Sequence, residues 1–144
     1  MRKSKKIPLV FFNASVILAA LHSPKGGSAK LIRWCQENKI KGIINEIIVD
    51  EALRNIHKIG KNKKDLAKLI ASFEKIIKSP EEREINHFKK VVIDEGDAHV
   101  ITSSVQTRAD FLATLDKKHL LVLQNKIKKP KIVSPKQLIE KLVK

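Results

Sequence analysis

Cysteine is almost missing from this chain of 144 residues: Cys35 stands alone, so neither an intrachain disulfide nor a thiolate metal cluster can form. A reducing compartment suits such a chain, and the expected location is the cytoplasm. Aromatics are scarce as well, five Phe and Trp34 with no Tyr, too few to build a platform on which bases stack. Any recognition of nucleic acid should therefore be of backbone and shape. The longest apolar run, Leu9 to Leu21, is broken by Asn13 and Ser15 and is too short for a membrane span. No small-residue cleavage site precedes His22, so the basic Met-Arg-Lys-Ser-Lys-Lys opening reads as a frayed terminus rather than a secretion signal. Acids are few: 15 Asp and Glu stand against 30 Lys and Arg, for a formal charge of +15. A field of that sign draws polyanions along their phosphates, which makes nucleic acid the expected partner. The plainer account is a lysine-rich surface that keeps the protein dissolved.

What is present alternates between two periods. Ile7 to Phe12 is a continuous apolar run that predicts a strand buried on both faces and ending at Asn13. A short apolar helix, Ala14 to Leu21, follows, then a Pro- and Gly-rich loop, and Ser28 is placed to cap the next helix. Lys41 to Asn45 predicts a second strand, with Asn45 capping a helix over Glu46 to Ile59. Leu66, Leu69, Ile70, Phe73, Ile76 and Ile77 keep helical spacing and predict a helix from Asp65 to Lys78. Ser79-Pro80-Glu81-Glu82 has the signature of a helix start, while Ile85 to Val92 reads as a small edge strand or a loop. Beyond it come a helix over Gly96 to Arg108 with Ala98, Ile101 and Val105 on one face, and a strand over Asp110 to Leu115. A helical turn over Lys117 to Leu123 and a last strand at Lys131 follow, and Ser134 caps a terminal helix.

Strands alternating with helices and no hairpin signals point to a three-layer α/β/α domain over residues 1–144, with a mostly parallel central sheet of four to five strands. Ligands of such folds bind beyond the carboxyl ends of the strands. Asn13 and Asp116 stand at such ends, Glu51 lies on the helix after the second strand, and Asp94 and Asp97 open a later helix. Each has a plain use: Asp94 and Asp97 favour a helix N-terminus, Asp116 caps a turn, and Glu51 pairs with Arg54 or Asn55. Their coincidence on several elements suggests a site for hard cations, Mg²⁺ or Mn²⁺.

In that order the motifs resemble the PIN-domain family of metal-dependent ribonucleases, which includes the toxins of many prokaryotic toxin–antitoxin pairs. Leu9-Val-Phe-Phe-Asn-Ala-Ser resembles its opening strand, Asn45-Glu-Ile-Ile-Val-Asp-Glu-Ala-Leu its second motif, Asp94-Glu-Gly-Asp-Ala-His-Val-Ile its third and Ala113-Thr-Leu-Asp its fourth. The closing Ile-Val-Ser-Pro-Lys-Gln-Leu is similar to the strand and helix on which these domains end. The resemblance implies a metal held by Glu51, Asp97 and Asp116, with Asp94 and Asn13 assisting and Thr114 and Ser15 polar nearby. It further implies endonucleolytic hydrolysis of RNA phosphodiesters, a homodimer and an antitoxin partner. Lys25, Lys117 and Lys118 are candidates for contact with the nucleic acid. His22, His99 and His119 are candidates for proton transfer or phosphate contact, though lone histidines near helix ends are more often packing or surface residues.

One departure stands out: Asn13 replaces the family's first acid, which removes a negative charge from a set whose affinity depends on charge count. The alternative reading is a weakened or inactive PIN domain that binds RNA or a protein. A phosphoacceptor receiver domain shares acids at the sheet edge but needs a pair of them at strand one, absent here.

Overall fold

A computed structural model describes residues 6–143; residues 1–5, within the segment read as a frayed terminus, lie outside them. Five parallel strands form the sheet, β1 (Leu9–Phe12), β2 (Lys41–Asn45), β3 (Lys75–Ile77), β4 (Phe111–Ala113) and β5 (Lys131–Val133), in the order β3-β2-β1-β4-β5. The expected α/β class and parallel sheet are observed. β1 is central because it is apolar on both faces: Val10, Phe11 and Phe12 are completely buried, which requires cover above and below. Its register pairs Phe11 with Ile43 of β2 and with Leu112 of β4.

Among the described residues the helices are α1 (Ala14–His22), α2 (Gly27–Gln36), α3 (Glu46–Asn55), α4 (Lys63–Ile70), α5 (Glu82–Phe88), α6 (Ala98–Gln106) and α7 (Pro135–Val143). Their starts are set locally. Asn45 accepts from Ile48 N–H at 2.8 Å and caps α3 as expected, and Ser134 accepts from Gln137 N–H at 3.1 Å while Gln137 reaches back to Ser134 N–H at 3.0 Å. α3 is shorter than its pattern, passing into a 3₁₀ turn at Ile56–Ile59.

Several expectations are corrected. The helix predicted from Asp65 to Lys78 begins earlier, at Lys63 behind an Asn62–Asp65 capping box, and stops at Ile70. The chain then turns so that Phe73 packs against Phe12 with ring centroids 5.1 Å apart and planes tilted by 50°, Glu74 N–H donates to Gly42 O at 2.8 Å, and Lys75–Ile77 becomes an edge strand on β2. Ile76, read as part of an apolar helix stripe, is 47% exposed there. Ser28 is buried inside α2, whose N-cap is Gly26. Ser79 caps nothing: its N–H donates to Glu46 Oε1, and the capping box of α5 is formed by Glu81 and Glu84. Of the segment Ile85 to Val92, Ile85 to Phe88 is therefore helical, and only residues 89–92 follow the loop reading. Val105 lies outside the buried face of α6.

Gly42 has a packing reason. A Cβ there would stand 2.9 Å from Phe73 Cε1, closer still to Cδ1, and 3.0 Å from Cys35 Sγ. The absence of a side chain is what lets Phe73 reach across β2 to Phe12.

Candidate metal centre

Parallel strands end on one edge of the sheet, so the residues that follow β1, β2 and β4 are neighbours in space although far apart in sequence. Asn13 follows β1, α3 carries Glu51 after β2, and Asp116 stands just beyond β4. Asp94 and Asp97 come from the connection into α6, a 3₁₀ turn at Glu95–Asp97. Asp94 Oδ1 accepts from Gly96 N–H at 2.9 Å, which tightens the turn and leaves its second oxygen free.

Small hydroxyls hold the exit of β4. Ser15 Oγ accepts from Leu115 N–H at 3.1 Å, and Thr114 Oγ1 accepts both from Asp116 N–H at 3.1 Å and from Asn13 Nδ2 at 2.9 Å. These two side chains fix the loop that presents Asp116. Asn13 is buried; its Oδ1 accepts from Ala14 N–H at 2.9 Å, so its amide nitrogen points to Thr114.

The carboxylate of Asp116 is held in turn by a residue three positions on. His119 N–H donates to Asp116 Oδ1 at 2.9 Å, and the ring Nδ1 lies 3.3 Å from Asp116 Oδ2 and 3.9 Å from Asp97 Oδ2. Asp94, Asp97 and His119 can each present one donor atom, all within 4.8 Å of one another. Glu51 and Asp116 stand outside that tight group yet act on it electrostatically. Half-burial chiefly, then the negative charges of Asp116, Asp94 and Glu51, push Asp97 up to about 6 against the pull of His119. Glu51 is also raised, by burial and by Asp116, with Arg54 opposing. Burial and mutual repulsion thus make the charged forms of Asp97 and Glu51 costly, a cost that a bound cation would offset. The carboxylate oxygens, half open to water, fit Mg²⁺ or Mn²⁺, which keep several water ligands.

A family model described as PIN domain matches residues 9–118, from the first residue of β1 to just past Asp116. The chain belongs to the PIN-domain family. No curated protein matches its sequence. Among solved structures, PAE2754 from Pyrobaculum aerophilum superposes with a TM-score of 0.67 at 18% identity, over 95% of this chain and 96% of that one. VapBC2 from Rickettsia felis, bound to a DNA fragment from their promoter, superposes with a TM-score of 0.64 at 12% identity, over 88% of this chain and 98% of that one. At these identities the likeness is one of fold.

In this PIN domain Lys117 and Lys118 are exposed directly beyond Asp116 and form no ion pair among the described residues. Lys25 is exposed in the turn between α1 and α2, where Arg33 Nη1 donates to Pro24 O. His22 is exposed at the end of α1. His99 is buried among polar groups: Asn45 Nδ2 lies 3.1 Å from its Nδ1 and donates to Ser103 Oγ at 2.8 Å. Because Asn45 Oδ1 accepts from Ile48 N–H, the amide must turn its nitrogen to the ring, and His99 is neutral with Nδ1 as acceptor. Burial pushes its pKa down to about 4, in keeping with a structural role.

His119 is the site residue that sequence patterns undervalue. The available signal is its place three residues after an acid in a turn, where a side chain folds back on the carboxylate.

Proposed function

We infer that this PIN domain is a metal-dependent endoribonuclease hydrolysing RNA phosphodiester bonds, and that it is the toxin of a toxin–antitoxin pair. The observation that carries this reading is the convergence of Glu51, Asp94, Asp97 and Asp116 on one sheet edge, where half-burial chiefly and then the neighbouring negative charges raise Asp97 to about 6. Glu51, Asp97 and Asp116 would hold Mg²⁺ or Mn²⁺, Asp94 would assist with its free oxygen, and Asn13 could offer only a carbonyl. When bound, such an ion supplies Lewis acidity to a water and to the phosphoryl oxygens. The chain's own part is to orient: Ser15 and Thr114 fix the Asp116 loop, and the Asp94 turn aims Asp97. Lys117, Lys118 and Lys25 would contact RNA phosphates without reading bases, as the charge of +15 and the few aromatics suggest. The likeness to VapBC2 supports a setting with an antitoxin partner. A homodimer in the cytoplasm belongs to the same reading; among the described residues no helix is long and apolar enough to cross a membrane.

The test is incubation of the purified chain with RNA and Mn²⁺. Cleavage by the wild type, absent in Glu51→Gln and Asp97→Asn, supports the reading; no cleavage under any divalent cation refutes it.

A second reading rests on Asn13, whose amide is engaged with Thr114 and Ala14. A PIN domain weakened there would bind RNA or a protein partner without turnover, and its binding would fall steeply with salt. Restoration of cleavage by Asn13→Asp in an inert wild type would decide for it.

A further inference from the structure

We propose that His119 is itself a metal ligand, supplying a nitrogen donor that makes up for the carboxylate missing at position 13 and turns the site from Mg²⁺ toward transition-metal dications. This rests on the metal-dependent reading above and adds a residue and a selectivity to it.

Position 13 is poorly placed to contribute. The amide of Asn13 is fixed by two hydrogen bonds, Oδ1 to Ala14 N–H and Nδ2 to Thr114 Oγ1, so the face turned to Thr114 is a donor and repels a cation. His119 is placed well. Its backbone N–H is tied to Asp116 Oδ1, which holds the ring over the acids, and Nδ1 sits between Asp116 Oδ2 and Asp97 Oδ2 at 3.3 and 3.9 Å. A single point can be shared by donor atoms of Asp94, Asp97 and His119, which lie within 4.8 Å of one another. The ring is 38% exposed, so it can rotate without unpacking the core.

Mg²⁺ takes oxygen donors and leaves its waters reluctantly, whereas imidazole nitrogen suits Fe²⁺, Ni²⁺ and Zn²⁺, and Mn²⁺, which shares the oxygen preference of Mg²⁺, opens the same transition series. A site that exchanges one carboxylate oxygen for one imidazole nitrogen loses negative charge but gains preference among dications. The competing role for His119 is a hydrogen bond from Nδ1–H to Asp116, which orients the acid and leaves the metal with oxygen ligands alone.

Mn²⁺ is the probe, because its electron spin reports directly bound nitrogen. Electron spin echo modulation of the full chain loaded with Mn²⁺ should show ¹⁴N coupling, and His119→Gln should remove it. Calorimetric titration should show the ratio of Mn²⁺ to Mg²⁺ affinity falling by on the order of tenfold in His119→Gln. Bound Mn²⁺ with no nitrogen coupling in the wild type overturns the proposal while the acidic site stands. Coupling that survives in His119→Gln overturns it too. Failure to bind Mn²⁺ at all overturns both this proposal and the nuclease reading on which it rests.

Discussion

Asn13 at the exit of β1 and Thr114 at the exit of β4 are joined by a 2.9 Å hydrogen bond in which the amide Nδ2 donates to the hydroxyl Oγ1, across 101 residues of sequence. Thr114 also accepts from Asp116 N–H. One hydroxyl thus couples the altered position of the site to the placement of an intact acid.

Asn13→Asp reverses the polarity of that bond. The hydroxyl then donates to the new carboxylate and continues to accept from Asp116 N–H. The added charge should tighten Mn²⁺ binding by about tenfold, equivalent to roughly 1.4 kcal/mol. Calorimetric titration measures this, and equal affinities for the two proteins would exclude charge at position 13 as a determinant of metal affinity.

Thr114→Val keeps the shape and removes the acceptor. Buried Asn13 Nδ2 and the Asp116 N–H lose their partner, which should lower stability by about 1–3 kcal/mol in denaturant unfolding. RNA cleavage should fall further than stability alone explains, since Asp116 is no longer held.

The metal-free protein should respond to pH through Asp97. Its folded-state pKa of about 6 exceeds the ordinary 3.8, so between those values the folded form binds more protons than the unfolded one. Stability from this group is therefore lost as pH rises through the window. His99 acts oppositely: with a folded value of about 4 against 6.5, it lowers stability as pH falls through its own window. Thermal melts of Asp97→Asn should lose the first slope, keep the second, and give a melting temperature above wild type at pH 8 without metal. Saturating Mn²⁺ should reverse that order, and a wild-type melt insensitive to Mn²⁺ at pH 8 would contradict the assignment of Asp97 as a ligand.

Lys117→Ala and Lys118→Ala should weaken RNA binding to a similar degree on different sequences. Each should reduce the slope of log affinity against log salt by about 0.7 for a single strand. A loss confined to one sequence would indicate base contact instead.

Gly42→Ala should cost about 1–3 kcal/mol by overpacking, because the new methyl meets the Phe73 ring and Cys35 Sγ. Pairing it with Phe73→Leu, which removes the obstructing ring edge, should recover part of the loss; additive losses would exclude this contact as the cause.

Much of the molecule was legible in the chain because its signals are local. The apolar run at β1, the caps at Asn45 and Ser134, the acids Asp94, Asp97 and Asp116 at a helix start or beyond a strand end, and Glu51 one turn into α3 depend on short spacings. Parallel topology then brings the ends together without further instruction.

The segment from Leu66 to Ile77 shows where local pattern fails. Its apolar spacing satisfies a helix throughout, yet Phe73 finds Phe12 and Lys75–Ile77 finds β2, and long-range pairing with ring packing overrides a periodicity that two structures satisfy.

By itself the sequence determined the alternation of strands and helices, the series of acids, the loss of charge at position 13 and the basic field around them, since each is written in composition or in spacing of a few residues. Only the tertiary structure decided that Asn13 turns its amide nitrogen to Thr114, that His99 is buried against Asn45 and that His119 stands among the acids. Those outcomes depend on which donor faces which acceptor once distant elements meet: Asn13 and Thr114 stand 101 residues apart and Asn45 and His99 stand 54 apart, and although His119 is near Asp116 in sequence, only the fold brings it to Asp97.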